Sequence, residues 1–429
     1  FDCGGGSPNK MKRIRDKLFI LAAHPVARSS AIVLLGTTLA NVGAYAYHLV
    51  VGRILGPEQY GELGSLVSLL YILNVPAQVL QVVLTRYVAG FRAKNEIGRA
   101  KTLSLVFMRV LLLSLLVGAL IIVPFVGMLA EFLHISHPIS IFYIYLTAAL
   151  WLMGTVQASL LQGLQQFTAA MIISNVAAAF RLVGGVIGAF FGVVETMFAG
   201  VITSILTFVS YFVPLQFVYK ASALPTNITR KEIVSYSVPS LLSMLAITSL
   251  YSMDIILVKH FLPPFEAGLY AALSVMGKII YFASSSVSYV LFPVVAERKQ
   301  QNTGSERLVY SGLAAIGLVS AGITVGYFLF PKLALHLLFG ASYYPAAPYL
   351  GWLGVFLSLY SLSYILVTIL LGLGNAFVWV LVSVAAILQV VGISLHHSDI
   401  MSVLTVNITI MFGLLLSLIV YYRHAVTKH

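Results

Sequence analysis

Val51-Gly-Arg-Ile-Leu-Gly-Pro-Glu-Gln-Tyr-Gly61 joins two long apolar runs, and 207 residues later Val258-Lys-His-Phe-Leu-Pro-Pro-Phe-Glu-Ala-Gly268 does the same. The shift lays Pro57 on Pro264 and Gly61 on Gly268, then Val88-Ala89 on Val295-Ala296 and Phe91-Arg92 on Arg298-Lys299. A shift of 209 lays Gly163-Leu164 on Gly372-Leu373, which requires a two-residue insertion in the second half. Apolar sequences align with one another by chance because Leu, Val and Gly recur everywhere. A shared hairpin with matched proline, glycine and basic positions is harder to obtain that way, and it marks an internal repeat.

Working outward from these hairpins, 60% of the 429 residues are hydrophobic and only 9% are charged. A soluble globule of that composition would lack polar groups to face water, so the chain reads as a membrane protein. A spanning helix needs about 20 apolar residues. Twelve such runs are expected, at residues 30–54, 60–90, 103–126, 139–163, 167–191 and 196–219, then 234–260, 267–296, 308–330, 343–372, 376–396 and 400–422. Six spans per repeat is an even number, so the two halves enter the membrane from the same side and are parallel. The expected fold is an all-α polytopic membrane protein, with about twelve transmembrane helices in two parallel six-helix lobes around a central cavity. The expected divisions are a leader and basic segment (1–29), an N-terminal lobe (30–219), a linker (220–233) and a C-terminal lobe (234–429).

The formal charge of +12 would suggest nucleic acid in a soluble domain. Its distribution points elsewhere. Lys10, Lys12, Arg13, Arg15, Lys17, Arg28, Arg86, Arg92, Lys94, Arg99, Lys101, Lys220, Arg230, Lys231, Arg298, Lys299, Arg307, Arg423 and Lys428 fall on one side of the twelve-span arrangement. Only Arg53, Lys259 and Lys332 fall on the other. By the positive-inside rule both termini are expected in the cytoplasm, in a multi-pass protein of the cytoplasmic (inner) membrane. The charge is then an orientation signal, with anionic lipid headgroups as a further partner, and no nucleic-acid partner is expected.

Phe1 to Pro8 is a Gly-rich leader ahead of Met11, which reads as an added or upstream extension with Met11 as the natural start. The run 18–23 is too short and too soon broken, by His24 and Pro25, for a cleavable signal peptide. The single cysteine, Cys3, allows no internal disulfide. No G-x-x-x-x-G-K-[ST] phosphate loop occurs, so no nucleotide hydrolysis is expected, and no cofactor or metal is expected beyond a coupling H+ or Na+.

Polar residues inside spans are costly against lipid, so their helical phase shows which face meets protein or water. Tyr71, Asn74, Gln78 and Gln81 share one face of the second span. The 207-residue shift carries them onto Lys278, Tyr281, Ser285 and Ser288 of the eighth. Thr38, Asn41, Tyr45 and His48 share a face of the first span, and Thr248, Tyr251 and Asp254 lie in the seventh. Spans one, two, seven and eight are the expected cavity wall, and hydrogen bonds gluing a bundle together are the plainer reading of the same residues. Lys278 and Arg181 lie deep in their spans, and Arg109 lies in the third. A central basic side chain costs about 2.5–3.5 kcal/mol on insertion scales, so a carboxylate, carbonyls, water or a transported anion must compensate. Asp254 is the one deep carboxylate, either paired with Lys278 or Arg181 or binding a coupling H+ or Na+. Arg53 and Arg86 lie near span ends, where snorkelling is the default. Pro76, Pro214, Pro239, Pro293 and the run Ser284-Ser285-Ser286 are candidate hinges.

The hairpin 51–61, the later Leu160-Leu-Gln-Gly-Leu-Gln-Gln-Phe167 and the twelve spans in two halves resemble the polysaccharide transporter family of the multidrug, oligosaccharidyl-lipid and polysaccharide exporter superfamily. The resemblance runs from Ser30 onward, on motifs looser than a metal or nucleotide signature. It implies a flippase, not an enzyme, that carries an isoprenoid diphosphate-linked oligosaccharide to the outer leaflet by alternating access and works beside glycan assembly proteins. A basic cavity suits a diphosphate, because cations offset the cost of taking the anion through a low-dielectric region. Lys278, Arg181 and Arg109 are the candidates for that role, with Asn41, Tyr45, Tyr71, Asn74, Gln78, Gln81, Tyr251, Tyr281, Ser285 and Ser288 as polar lining. A cation-coupled multidrug exporter of the same superfamily would favour acidic residues in its cavity. A membrane glycan polymerase would need a larger external loop than 130–138 or 332–342 provides.

Overall fold

The computed structural model describes residues 25–226, 230–300, 306–372 and 377–427. The leader with Cys3 and the basic run from Lys10 to Lys17 lie outside the described residues. Among the described residues every regular element is helical. This is the all-α polytopic fold that the apolar runs imply.

The opening hairpin is one helix by hydrogen bonding, α1 (Pro25–Leu73), with a reversal inside it at Gly56 (φ 70°, ψ 175°). Only glycine adopts that conformation without strain, and Pro57 then restarts the helix where its missing N–H costs nothing. The two arms fold back on each other: the Tyr60 hydroxyl and the His48 Nδ1 are 3.2 Å apart. The second arm breaks at Asn74, two residues before Pro76, and continues as α2 (Val75–Ala93). α3 (Ile97–Ile122) and α4 (Val126–Phe132) follow, then α5 (Ile139–Gly163), α6 (Phe167–Ala189), α7 (Val193–Ser210) and the short α8 (Gln216–Lys220).

The second half begins with α9 (Arg230–Ser249) and α10 (Met253–Phe261), bent by 43° at the break between them. It continues with α11 (Pro264–Gln300), α12 (Glu306–Leu329), α13 (Pro331–Leu338), α14 (Ala347–Gly372), α15 (Val378–Leu395) and α16 (Ile400–Thr427). Among the described residues ten helical stretches are long and apolar enough to cross a membrane, and the bent pair is an eleventh. The first of the ten, Ile32–Ala93, contains the Gly56 reversal and so supplies two crossings. The twelve expected spans are therefore accounted for.

The hinge expectations divide. Pro76 adjoins a break, and Pro214 lies in the turn after α7. α9 runs through Pro239 and α11 through both Ser284-Ser285-Ser286 and Pro293 without interruption. A proline inside a membrane helix removes one hydrogen bond, which neighbouring groups can replace.

α1, α2, α5, α6 and α7 pack as one bundle, and α11, α12, α14, α15 and α16 as the other. They meet where α1 lies along α10 and α11, and where α2 meets α9. The outer faces are apolar and exposed: Leu112, Leu113, Leu116 and Leu120 of α3 and Leu318 of α12 form part of a surface fit for lipid tails. At the end of the bundle that carries the two hairpins, the halves are tied together. The Arg53 guanidinium donates to the carbonyl of His336 at 3.1 Å and also to that of Leu337. The Tyr343 hydroxyl donates to the Gly52 carbonyl at 2.8 Å. His260 stacks on Phe132 of the other half with ring centres 3.9 Å apart. The hairpin end of this conformation is closed.

Candidate functional site

Three pairs of residues related by the 207-residue repeat touch across the interface. A Cβ on Gly61 would lie 2.7 Å from the amide nitrogen of Gly268, and one on Gly64 would lie 2.7 Å from the Cβ of Ala271. One and then three turns further along the same helices, Lys278 Nζ stands 4.9 Å from the centre of the Tyr71 ring. Equivalent residues of a two-fold repeat can meet only near the axis that relates the halves. Small residues allow the close approach at its hairpin end, and Lys278 sits on the axis at greater depth.

Lys278 is 8% exposed. Its ammonium also stands 5.2 Å from the Tyr251 ring, and among the described residues it makes no ion pair. The negative faces of two tyrosines thus help to hold a cation in a low-dielectric site, with the Asp254 carboxylate near enough to act on its charge but beyond ion-pair distance. The tyrosines are themselves fixed by packing: Tyr251 stacks on Tyr281 at 6.1 Å and meets Tyr360 edge-on at 5.4 Å. Tyr281 meets Tyr364 at 5.2 Å. A small cavity of about 60 Å3 opens beside the ammonium, lined among others by Asn41, Tyr45, His48, Tyr71 and Lys278. Its walls are both arms of α1, with Ile255 of α10 and the first half of α11. The Tyr45 hydroxyl crosses the interface to the Val275 carbonyl at 3.1 Å.

Asp254 is fully buried and does not itself line this cavity, although its neighbour Ile255 does. Asp254 does not ion-pair with Lys278 or Arg181. The Tyr270 hydroxyl donates to Asp254 Oδ2 at 2.7 Å, and the Ile255 amide donates to Oδ1 at 2.9 Å. Asp254 occupies the first turn of α10, where the positive end of the helix dipole favours a carboxylate. The break before α10 makes that position available. The chain of bonds continues from Asn407 Nδ2 to the Tyr270 hydroxyl at 3.0 Å, and from Gln389 Nε2 to Asn407 Oδ1 at 2.9 Å. Gln389 Nε2 also donates to the Leu250 carbonyl at the break, while Gln389 Oε1 is buried with no hydrogen-bond partner. Sequence reasoning missed Tyr270, Gln389 and Asn407. An amide in the middle of an otherwise apolar span was the available signal.

The remaining candidates separate. Arg181 on α6 lies in a second cavity inside the N-terminal half, its guanidinium 4.7 Å from the centre of the Tyr47 ring. Arg109 is exposed on α3 and lines neither cavity. α3 buries only Gly98, Ala100, Leu103 and Ser104, all toward its start, so Arg109 lies on the face turned away from the bundle. Asn74 is buried at the helix break with its amide nitrogen unpartnered, Gln78 is exposed and Gln81 is half-buried. The side chains of Ser285 and Ser288 lie outside those described. Among the described residues no group of three or more His, Cys, Asp and Glu side chains is gathered where a metal could bind.

Comparison with solved structures places the architecture. An inward-facing multidrug resistance MATE family transporter of the MOP superfamily matches with a TM-score of 0.75 and 17% identity, over 91% of this chain and 94% of its own. An outward-facing MATE transporter matches at 0.64 with 16% identity, over 93% and 96%. The lipid II flippase MurJ, in an inward closed conformation, matches at 0.70 with 12% identity, over 92% and 87%. At these identities the likeness is one of fold. No curated protein matches the sequence. The profile of the polysaccharide biosynthesis protein family matches residues 50–348, well over half of the chain and including the hairpins, the Lys278 cage and Asp254. The chain is a member of the polysaccharide biosynthesis protein family, folded as the MOP-superfamily transporters are.

Proposed function

We propose that this chain is a flippase that moves an isoprenoid diphosphate-linked oligosaccharide from the cytoplasmic to the outer leaflet of the cytoplasmic membrane. The observation that carries the reading is Lys278: a buried cation on the axis between the halves, held by tyrosine faces and making no ion pair among the described residues. An anionic headgroup is the chemistry that such a charge is kept available for. A cationic drug is the wrong partner for it. With the hairpin end facing outward, as the distribution of Lys and Arg implies, the conformation described here is closed to the outside. The cavity of about 60 Å3 beside Lys278 is too small for a diphosphate-linked glycan, so the substrate is admitted when the halves part at the opposite end. Movement of one half against the other is alternating access, with no covalent chemistry and so no enzyme activity.

Asp254 supplies the coupling in this reading. Asp254, Tyr270, Asn407 and Gln389 join α10, α11, α15 and α16 in one buried network. A proton or Na+ taken up by Asp254 would change the charge at the start of α10 and with it the balance between conformations. Glycan assembly proteins are the expected partners on either side of the transport step.

The test uses the purified chain in liposomes loaded with an isoprenyl diphosphate oligosaccharide that carries a fluorescent sugar, with flipping read by its exposure to an impermeant quencher. Lys278→Ala is expected to lower the initial rate about tenfold or more, the worth of a charge-assisted hydrogen bond. Lys278→Arg is expected to retain more activity than Ala. Equal rates for the native chain and Lys278→Ala, or transport of a cationic dye with none of the lipid, would overturn the reading.

A further inference from the structure

The second cavity, of about 290 Å3, lies inside the N-terminal half between the two arms of α1 and α5, α6 and α7. Gly43, Ala44, Ala177, Ala178 and Gly200 in its lining carry little or no side chain to fill it. Ala44 and Val67 line this cavity and the one beside Lys278, so α1 is a shared wall. What the space offers chemically can be read from its lining.

Arg181 is the one charged residue in the lining, and no carboxylate joins it. Among the described residues it makes no ion pair. Its guanidinium rests against Tyr47 at 4.7 Å and Trp151 at 6.0 Å. The two rings, together with a hydrogen bond between Arg181 and the Tyr47 hydroxyl, hold the guanidinium in place, and its remaining N–H groups can grip a carboxylate. α7 contributes four hydroxyls, each of which donates its hydrogen to the carbonyl four residues back: Thr196 to Gly192 at 2.7 Å, Thr203 to Ala199 at 2.9 Å, Ser204 to Gly200 at 2.8 Å and Thr207 to Thr203 at 2.7 Å. With their hydrogens engaged, these oxygens have only lone pairs to offer a ligand. The cavity therefore combines one fixed cation, an indole ring, a row of acceptors on α7 and, on the other walls, the hydroxyls of Thr147, Ser174 and Tyr211.

Each class of ligand can be weighed against that set. A cation is opposed by Arg181. A phosphate or diphosphate would bring about two or more negative charges to one guanidinium, and its acceptor oxygens would face the acceptor row of α7. An aliphatic chain leaves both the charge and the hydroxyl oxygens unmatched, at the cost of burying them. A neutral sugar satisfies the acceptors through its hydroxyl donors and the indole through its C–H face, but leaves Arg181 without a partner. A sugar that carries a single carboxylate satisfies all three. The volume of about 290 Å3 falls just below the about 300–1,000 Å3 usual for ligand pockets, which suits one sugar ring.

We propose that this cavity is a glycan subsite for an acidic sugar, a uronic acid residue whose carboxylate is gripped by Arg181, whose hydroxyls donate to the oxygens of α7 and whose ring lies against Trp151. The proposal rests on the reading of the chain as a carrier of glycans and narrows its cargo to acidic ones. It also assigns the two deep cations different tasks, Lys278 to the lipid diphosphate and Arg181 to the sugar.

The test is made on the full purified chain in detergent with Trp352→Phe and Trp379→Phe, which leaves Trp151 as the sole indole. The probes are the methyl glycosides of glucuronic acid and of glucose, and sodium acetate, with indole fluorescence as the readout. No lipid carrier is present, so the measurement reports on this cavity whether or not the chain flips an isoprenoid diphosphate. The glucuronoside is expected to change the signal saturably, with the glucoside and acetate each requiring about tenfold higher concentration or more, as loss of a charged or a cooperating set of hydrogen bonds implies. Arg181→Gln is expected to raise the Kd for the glucuronoside about tenfold or more, and Arg181→Lys less. If Arg181→Gln does not fold, Thr203→Val, which removes one acceptor at constant shape, is expected to weaken glucuronoside binding several-fold without affecting the response to acetate. Four outcomes would overturn the proposal: no saturable response to the glucuronoside, equal affinity for the glucoside, equal affinity for acetate, or affinities unchanged in the Arg181 and Thr203 variants.

Discussion

Gly61 and Gly268, which the 207-residue repeat superposes, meet backbone to backbone: a Cβ on Gly268 would stand 1.8 Å from the carbonyl oxygen of Pro57, and one on Gly61 would stand 2.7 Å from the amide of Gly268. Neither contact can be relieved by turning a side chain, because both partners are main chain. Gly268→Ala should therefore force the halves apart at the hairpin end or destabilise the fold by about 1–3 kcal/mol, the usual cost of overpacking. Gly90→Ala is the control, since nothing lies within 4 Å of its Cβ position. Thermal melting in detergent checks it: a melting temperature for Gly268→Ala equal to that of Gly90→Ala would mean the contact is dispensable.

The hairpin end is latched by groups that can bond only while it is closed. Arg53 donates to the carbonyls of His336 and Leu337, which end α13, and Tyr343 donates to Gly52. Arg53→Gln combined with Tyr343→Phe is expected to shift the population toward the open form, since each lost bond is worth about 1 kcal/mol or more. A cysteine introduced at Ser68, 1% exposed and beside the Lys278 cavity, reports the shift. Its labelling from the hairpin side should speed up about tenfold; an unchanged rate removes the latch.

The tyrosine cage predicts a graded series at position 71. Tyr71→Phe keeps the aromatic face toward Lys278 and should be nearly silent in stability. Tyr71→Leu removes the face and should cost about 1–2 kcal/mol, because the buried ammonium loses part of its compensation. Paired with Lys278→Met, which removes the cation, Tyr71→Leu should cost much less. Additive losses in that double-mutant cycle would show that the ring serves only as packing.

Asp254→Asn preserves the shape of the buried network but removes the charge. If Asp254 couples transport to an ion, the variant should fold, retain the bond from Tyr270 and lose the dependence of flipping on a proton or Na+ gradient. Tyr270→Phe should weaken the dependence without abolishing it. Gradient-driven flipping at the native rate in Asp254→Asn would take Asp254 out of the mechanism.

The assignment of sides is checked by cysteine labelling in a Cys3→Ser background. Ser342 is exposed at the hairpin end and His424 is exposed near the end of α16. In intact cells an impermeant maleimide should label a cysteine at Ser342 and leave one at His424 untouched. Gly340 is a poor reporter because its φ of 96° disfavours any side chain. The reverse labelling pattern would invert the direction of transport.

The sequence by itself determined the twelve crossings, the repeat and the placing of Tyr71 and Lys278 on equivalent faces. These follow from the length of apolar runs, from self-similarity and from helical phase, all of which are local or periodic and need no knowledge of neighbours. It also isolated Asp254 as the deep carboxylate, since no other acid lies so far inside a span. Which helix faces which was decided only by the tertiary structure. Position along the apolar runs shows that Arg109 and Arg181 lie within their spans but not toward what, and packing turned the first outward on α3 and the second into a cavity of its own half. Packing likewise placed Asp254 beside Tyr270, with Asn407 and Gln389 beyond it, and gave Lys278 to two tyrosine rings. In a bilayer, where apolar side chains gain little by preferring one another to lipid, helix partners are chosen by close fit and by satisfied polar groups. Both depend on atoms brought together from distant parts of the chain.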